Sequence, residues 1–296
     1  MSTRGDSRAT ESEAGIAETP DRLYEGYIFD LDGTIYLGDE LLPGAKRLIE
    51  GLRHLGKRVV FLSNNPTKDP AMYAEKLTKL GLPTPEDEII NTVVTMTEWI
   101  LQNHPEAAVY PIGEEPLVRA LRNAGIRISE DPSEIDIVIG SYDRTFEYRK
   151  LQIAFDAIWY HGRARLVTTN PDRYCPFPGG RGEPDAAAIV GAIEGCTGAR
   201  CEVNVGKPDP IMLDTIMEMV GLDAAECVMS GDRLYTEIRM ALDAGMPSAV
   251  VLTGETTADT LAAETEVNKP DYVLERIDEL IPRAMWPELG WSADGE

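Results

Sequence analysis

Asp30 and Asp32 stand one residue apart at the end of an apolar run in YIFDLDGTIY, and Asp232 follows a second such run in ECVMSGD. Side chains two apart on an extended segment share a face, so both carboxylates point the same way while Leu31 turns into packing. Like charges held so close repel unless a cation lies between them. Asp30 and Asp232, joined by a backbone carbonyl, are hard ligands suited to Mg²⁺, which binds through one or two carboxylates plus substrate phosphate. With charge neutralised in this way, Asp30 can attack phosphorus and form an aspartyl-phosphate. Asp32, whose side chain stays off the metal, can protonate the leaving alkoxide and later take a proton from water. Ser63 and Asn64 of FLSNNP and the amides of Gly33 and Thr34 are placed to hold the equatorial oxygens, and Lys207 of VGKPDP to balance charge in the transition state.

These residues need elements that bring distant segments to one rim. Apolar runs rich in β-branched and aromatic residues recur as EGYIFDL, RVVFLS (58–63), EVNVG (202–206), ECVMS (226–230) and SAVVL (248–252), each bounded by turn signals. Helical patterns lie between them. In DPIMLDTIMEMVG, Asp209 suits the N-cap, Pro210 the first helical position and Gly221 the stop, with Met212, Ile216, Met219 and Val220 as the apolar stripe. PAMYAEKLTKLG follows the same pattern, with Asp69 before Pro70 and Gly81 at the end. Strands alternating with helices predict an α/β fold around a parallel sheet covered on both faces, and such sheets bind ligands beyond their carboxyl ends. Asp30/Asp32, Ser63/Asn64, Lys207 and Asp232 all fall there.

Between 97 and 202 the alternation continues with AAVYPIG, DIVIG and RLVTT and their own helices, including a long one over FEYRKLQIAFDAIWYHG and another over EPDAAAIVGAIEGCTG. That is enough chain for a second core. The expected organisation is a polar, disordered leader over 1–22, a Rossmann-like core formed by 23–96 and 203–286, an inserted α/β cap over 97–202 and a tail over 287–296.

The chain has 296 residues, 43% of them hydrophobic, and a net charge of −23. It can bury a core without staples. Its charge repels phosphate backbones and anionic leaflets, which argues against nucleic-acid and membrane partners. Cys175, Cys196, Cys201 and Cys227 form no CxxC pair, and His54, His104 and His161 have no metal-ligand spacing. With no signal peptide and no run of eighteen apolar residues, the expected location is the cytoplasm. Trp286 and Trp291 in the tail dock either on the core or on a partner.

DLDGT, the Ser63 of LSNN, the Lys207 of GKPDP and GDRLYTE together resemble the four motifs of the haloacid dehalogenase-like (HAD) hydrolases, in order and over nearly the whole chain after the leader. The insertion between the second and third motifs, with TTNPDR (168–173) shortly before GKPDP, resembles subfamily IIA, with its inserted C2-type cap. That group includes phosphatases of nucleoside monophosphates, pyridoxal phosphate, phosphoglycolate and sugar phosphates. The resemblance implies Asp30 as nucleophile, Asp32 as acid/base, Ser63 and Lys207 on the phosphate, Mg²⁺ on Asp30, Asp232 and the Asp32 main-chain oxygen, and a homodimer through the cap. One departure stands out: Glu237 occupies a position where the subfamily usually has aspartate. It either hydrogen-bonds a metal-bound water or favours a helix dipole from the first turn.

The motifs handle only the phosphoryl group, so the substrate must be read by the cap. In TTNPDRYCPFPGG, Asn170 and Asp172 either position the loop or bind substrate hydroxyls, or serve turn chemistry only, and Tyr174 and Phe177 can wall the leaving group. FDLDGTIYLGDELLPGAKRLIEGLR, VLTGET and PDYVLERI resemble the sugar-phosphatase branch. The expected substrates are sugar, polyol or glycerol-type monophosphates, with nucleoside monophosphate, pyridoxal phosphate and phosphoglycolate as alternatives. An acidic closed cap is expected to disfavour doubly anionic leaving groups. The rival class is a non-catalytic ligand-binding regulator, but binding alone has no need of the Asp30/Asp32 pair.

Overall fold

The structure is a computed structural model that describes residues 19–177, 180–264 and 269–292. The expected leader lies outside the described residues as far as residue 18. Six strands form a wholly parallel sheet in the order Tyr272–Leu274, Ser248–Val251, Cys227–Gly231, Gly26–Asp30, Arg58–Ser63, Ile89–Asn91. The strand carrying Asp30 is therefore central, with every residue buried. Alternation divides its neighbours between two cores: Tyr27, Phe29 and Phe61 pack on one face, Ile28, Val60 and Leu62 on the other. Helix Pro210–Val220 covers the second face with Met212, Ile216 and Val220, and its expected cap is present: the Asp209 side chain accepts from the Ile211 N–H. Helix Pro70–Lys79 is capped in the same way by Asp69.

A second parallel sheet runs Val203–Asn204, Arg165–Thr168, Ile137–Gly140, Ala108–Ile112, Arg127–Ile128. It has its own two apolar layers, one around Val109, Ile137 and Val167 and one around Tyr110, Val138 and Leu166.

Here the sequence reading needs correction. EVNVG was expected in the first sheet, but Val203–Asn204 pairs with Arg165–Thr168 at the edge of the second. The Val205 N–H donates to Thr168 O, and the Val205 side chain is buried with Val109 and Ile137. Lys207 thus arrives on a segment leaving the cap rather than on a core strand. Helix Thr92–Asn103, capped by Asn91, likewise begins before the expected boundary and buries Val93, Met96 and Ile100 in the second core. The long helix expected after residue 145 is Tyr148–Phe155 followed by a wider turn over Asp156–Tyr160. Tyr174–Phe177 and Arg181–Pro184 pair as an antiparallel hairpin.

The tail docks on the core. Trp286 is buried and donates from its indole N–H to Ile281 O at 2.9 Å. Trp291 meets it edge-on, and the Arg47 guanidinium lies 4.9 and 5.0 Å from the two ring centroids. Arg47 also pairs with the fully buried Asp278, so the tail covers an ion pair that would otherwise face water.

Candidate active site

Asp30 ends the central strand, and Asp232 follows the neighbouring strand Cys227–Gly231. Both are buried, as are Lys207 and Glu237. The Lys207 ammonium pairs with Asp30 on one side and with Glu237 on the other. Burial opposes charge on Lys207, but the two carboxylates outweigh it and hold its pKa above the ordinary lysine value. Burial raises the Asp30 pKa well above the carboxylate range; Lys207 pulls it down, while Glu237 and Asp232 push it further up. Burial, reinforced by Glu237, lifts Asp232 to about 6. Glu237 goes the other way: despite its burial, Lys207 and the Thr236 hydroxyl hold it below its usual value.

Three buried carboxylates thus face the Lys207 ammonium, which pairs with two of them, and the nearby Arg233 guanidinium, so the site is one positive charge short. Asp232 also retains an unsatisfied atom. Its Oδ2 accepts from the Glu255 N–H at 2.7 Å, whereas Oδ1 is buried with no hydrogen-bond partner. An orphan carboxylate oxygen beside an excess of negative charge fits a hard cation. No group of three or more His, Cys, Asp or Glu side chains among the described residues is arranged to hold a metal. The expected ligand set needs only two such side chains, with the Asp32 main-chain oxygen as third.

Asp32 is exposed at the rim, in contrast to Asp30. The Tyr36 hydroxyl donates to Asp32 Oδ2 at 3.0 Å, and the Lys76 ammonium lies 3.6 Å from the Tyr36 ring centroid. Burial and the Asp32 charge keep Tyr36 protonated and hence a donor. The turn after Asp32 depends on Gly33, whose φ is +88° and whose missing Cβ would lie 2.5 Å from Asp232 Oδ2. The Gly33 and Thr34 amides, assigned from sequence to phosphate, close this turn onto Tyr36 O and Leu31 O. The Thr34 hydroxyl is the buried group left without a partner there.

Ser63 Oγ lies 2.8 Å from the Tyr73 hydroxyl and accepts from the Asn65 N–H. Asn64, expected to touch phosphate, is a clamp between segments. Its Oδ1 accepts from the Lys207 N–H at 2.8 Å, and its Nδ2 donates to Asp172 Oδ2 at 2.9 Å and to Lys207 O. Asn170 is fully buried and donates to Asp172 Oδ2 and Asp185 Oδ1, both at 2.9 Å, while Thr169 donates to its Oδ1. With donors and acceptor engaged, it positions the cap segment. Asp172 is half-buried and meets both amides at the border of cap and core. Glu237 lies in the first turn of Leu234–Ile238, as the dipole reading has it, but its carboxylate is also a buried counter-ion of Lys207.

Above these groups opens a cavity of about 350 Å³ between the cap hairpin and the core, lined by Asp172, Arg173 and Tyr174 on one side and by Arg233, Tyr235 and Glu255 on the other. Phe177 is not among its lining residues. Cys175, on the same hairpin, is held as a thiol by burial, which lifts its pKa to about 11. Arg233, Tyr235 and Glu255 escaped the sequence reading although their segments did not. They directly follow strand ends, where a parallel sheet exposes its loops to ligand.

A parallel sheet that brings aspartates and a serine to one rim, met there by a lysine on the segment returning from a second α/β unit, defines a phosphoryl-transfer hydrolase. Sequence comparison agrees: residues 27–127 match the haloacid dehalogenase-like hydrolase family, and residues 204–280 match a HAD-hydrolase-like family. The sugar-phosphatase AraL of Bacillus subtilis is 36% identical over 86% of this chain and 91% of its own. The 5'-nucleotidase YutF of the same organism is 31% identical over 88% of this chain and 99% of its own. The solved structure of a 4-nitrophenylphosphatase from Thermotoga maritima superposes with a TM-score of 0.81 at 35% identity, covering 87% of this chain and 96% of that one. The chain belongs to the haloacid dehalogenase-like hydrolases, subfamily IIA, and is a phosphoric monoester hydrolase.

Proposed function

We propose that the protein is a Mg²⁺-dependent phosphomonoesterase that works through an aspartyl-phosphate on Asp30 and prefers sugar, polyol or glycerol-type monophosphates. The observation that carries this reading is the pairing of a buried Asp30, held by Lys207, with an exposed Asp32 two residues on. Asp30 Oδ attacks phosphorus as the bond from phosphorus to the ester oxygen breaks. Asp32 protonates that oxygen as it leaves, and in the second half takes a proton from the water that attacks the acyl phosphate, restoring Asp30 and releasing phosphate. Lys207 moves its charge toward the phosphoryl oxygens, and Ser63, steadied by Tyr73, donates to one of them. Asp30, Asp232 and the Asp32 main-chain oxygen would hold Mg²⁺, which would supply further positive charge to the phosphoryl group, while Glu237 holds Lys207 from behind.

The names of AraL and YutF support sugar phosphates first and nucleotides second. Placement in the cytoplasm is supported by four cysteines that are all free thiols. No helix among the described residues is long and apolar enough to cross a membrane. For a dimer through the cap, the exposed Tyr148, Trp159 and Tyr160 supply the apolar surface.

The test is phosphate release from p-nitrophenyl phosphate and a panel of sugar and polyol phosphates, with Mg²⁺ and with EDTA. Activity lost to EDTA and restored by Mg²⁺ is expected, and Asp30→Asn should abolish turnover while the fold persists. Near-native turnover by a purified, metal-replete Asp30→Asn protein would refute the nucleophile.

A further inference from the structure

The cavity over the site is lined by two carboxylates and two guanidiniums, but they are not equally free. Glu255 is engaged: its carboxylate accepts from the Tyr235 hydroxyl at 3.1 Å to each oxygen, and its Oε2 lies 2.9 Å from Arg233 Nε. Asp172 turns its Oδ2 to the amides of Asn64 and Asn170. Neither guanidinium spends a side-chain hydrogen bond among the described residues, although Arg233 is ion-paired. Arg233 makes no hydrogen bond among the described residues; its Nε is buried without an acceptor, and Glu255 holds it by charge alone. Arg173, across the cavity on the cap, has no ion-pair or side-chain hydrogen-bond partner among the described residues and is exposed.

A guanidinium partly withdrawn from water with its donors unused is costly unless something accepts from them. Arg233 is anchored from below by the field of Asp30, Asp232 and Glu237 and from the side by Glu255, so its orientation is set before any ligand arrives. Its planar fork matches a carboxylate or phosphate in bidentate fashion. The phosphoryl group itself is served by Lys207 and Ser63 deeper in the site. What reaches Arg233 and Arg173 is the leaving group, because they line the cavity through which it leaves.

We propose that Arg233 is a specificity-determining residue, and that with Arg173 it selects phosphomonoesters whose leaving group carries a second anionic group. This rests on the phosphomonoesterase reading and narrows it from neutral polyols to their acidic or doubly phosphorylated counterparts. It also runs against the expectation that an acidic closed cap disfavours doubly anionic leaving groups, since the donors left facing the cavity belong to guanidiniums. Either a carboxylate or a second phosphate satisfies the same fork.

The experiment compares kcat/KM within matched pairs: glycerol 3-phosphate against 3-phosphoglycerate for the carboxylate, and fructose 6-phosphate against fructose 1,6-bisphosphate for the second phosphate. The native enzyme should favour the charged member of at least one pair by roughly tenfold or more, the scale of a charge-assisted hydrogen bond. The pair that shows it identifies the source. Arg233→Gln should bring that ratio close to one, Arg233→Lys should keep part of it, and Arg173→Gln should lower it less. A native ratio at or below one in both pairs overturns the proposal without any variant, as does an Arg233→Gln enzyme that retains the preference. Hydrolysis of p-nitrophenyl phosphate separates the two readings: if it proceeds with Mg²⁺ while the ratios are flat, only this inference falls, and if it too is absent, the phosphomonoesterase reading falls first.

Discussion

Lys207 holds Asp30 and Glu237 apart by pairing with both, so the nucleophile's counter-ion is itself shared. Glu237 packs against Gly231: a Cβ there would lie 2.5 Å from Glu237 Cγ, so the glycine makes room for this side chain. Removing its charge lets Lys207 settle wholly on Asp30 and engage the oxygen that must attack phosphorus. Glu237→Gln should therefore lower kcat about tenfold at saturating Mg²⁺ and reduce stability by about 1–3 kcal/mol, the scale for a weakened buried charge network. Steady-state kinetics beside denaturant melts would check this. A variant with native kcat and lowered stability would reduce Glu237 to a structural role.

Tyr36 aims the acid. Its hydroxyl fixes one oxygen of Asp32 and leaves the other for the substrate, while Lys76 lies against its ring. Tyr36→Phe keeps the packing and removes only this hydrogen bond. The expected loss in kcat/KM is about tenfold for alkyl phosphates, whose leaving oxygen needs a proton, and small for p-nitrophenyl phosphate, whose leaving group departs without one. A plot of rate against leaving-group pKa should steepen. An equal loss on all esters would mean that Tyr36 supports the loop and not the proton transfer.

What the sequence disclosed depended on whether the signal was local. Asp30, Asp32 and Asp232 could be read because a carboxylate at the carboxyl end of an apolar strand is conspicuous in one dimension. The helix ends at Asp69 and Asp209 could be read because capping is settled within four residues. EVNVG could not be placed, because a five-residue apolar run suits either sheet and only the burial of Val205 beside Val109 and Ile137 decides. Asn64, expected on the phosphate, and Asn170, open between positioning the loop and binding hydroxyls, could not be settled for a related reason. Their partners lie far along the chain or in another element, and an Asn beside a predicted site has the same appearance whether its amide faces ligand or another loop.

That distinction can be measured at Asn170. Its amide joins Asp172 to Asp185, and truncation removes one donor from each, leaving Asp172 Oδ2 to Asn64 alone and Asp185 Oδ1 to the Ala186 N–H alone. Asn170→Ala should cost about 1–3 kcal/mol. It should also raise KM for every ester to a similar degree, because the cap hairpin shifts as a unit. A change in the ranking of substrates with unaltered stability would restore Asn170 to the list of groups that touch the leaving group.

Asp185 offers a pH test away from the metal ligands. Its side chain caps helix Ala186–Thr197 through the Ala186 N–H and accepts from Asn170. Burial, with Asp172 nearby, raises its pKa from 3.8 to about 6 despite these two donors. A carboxyl raised on folding binds its proton more tightly in the folded than in the unfolded chain. Its contribution to stability is therefore neutral below pH 4, turns unfavourable as pH rises from about 4 to 6, and stays unfavourable above that. Asp185→Asn keeps the oxygen that accepts both hydrogen bonds and removes the charge. The variant should melt higher than the native protein at pH 7.5, by on the order of 1–2 kcal/mol after discounting for partial solvent access. That advantage should shrink between pH 6 and 4 and vanish below it. Paired thermal melts across this range cancel the titration of every other group. A constant difference at all pH values would show that Asp185 is ionised as readily in the folded cap as in the unfolded chain.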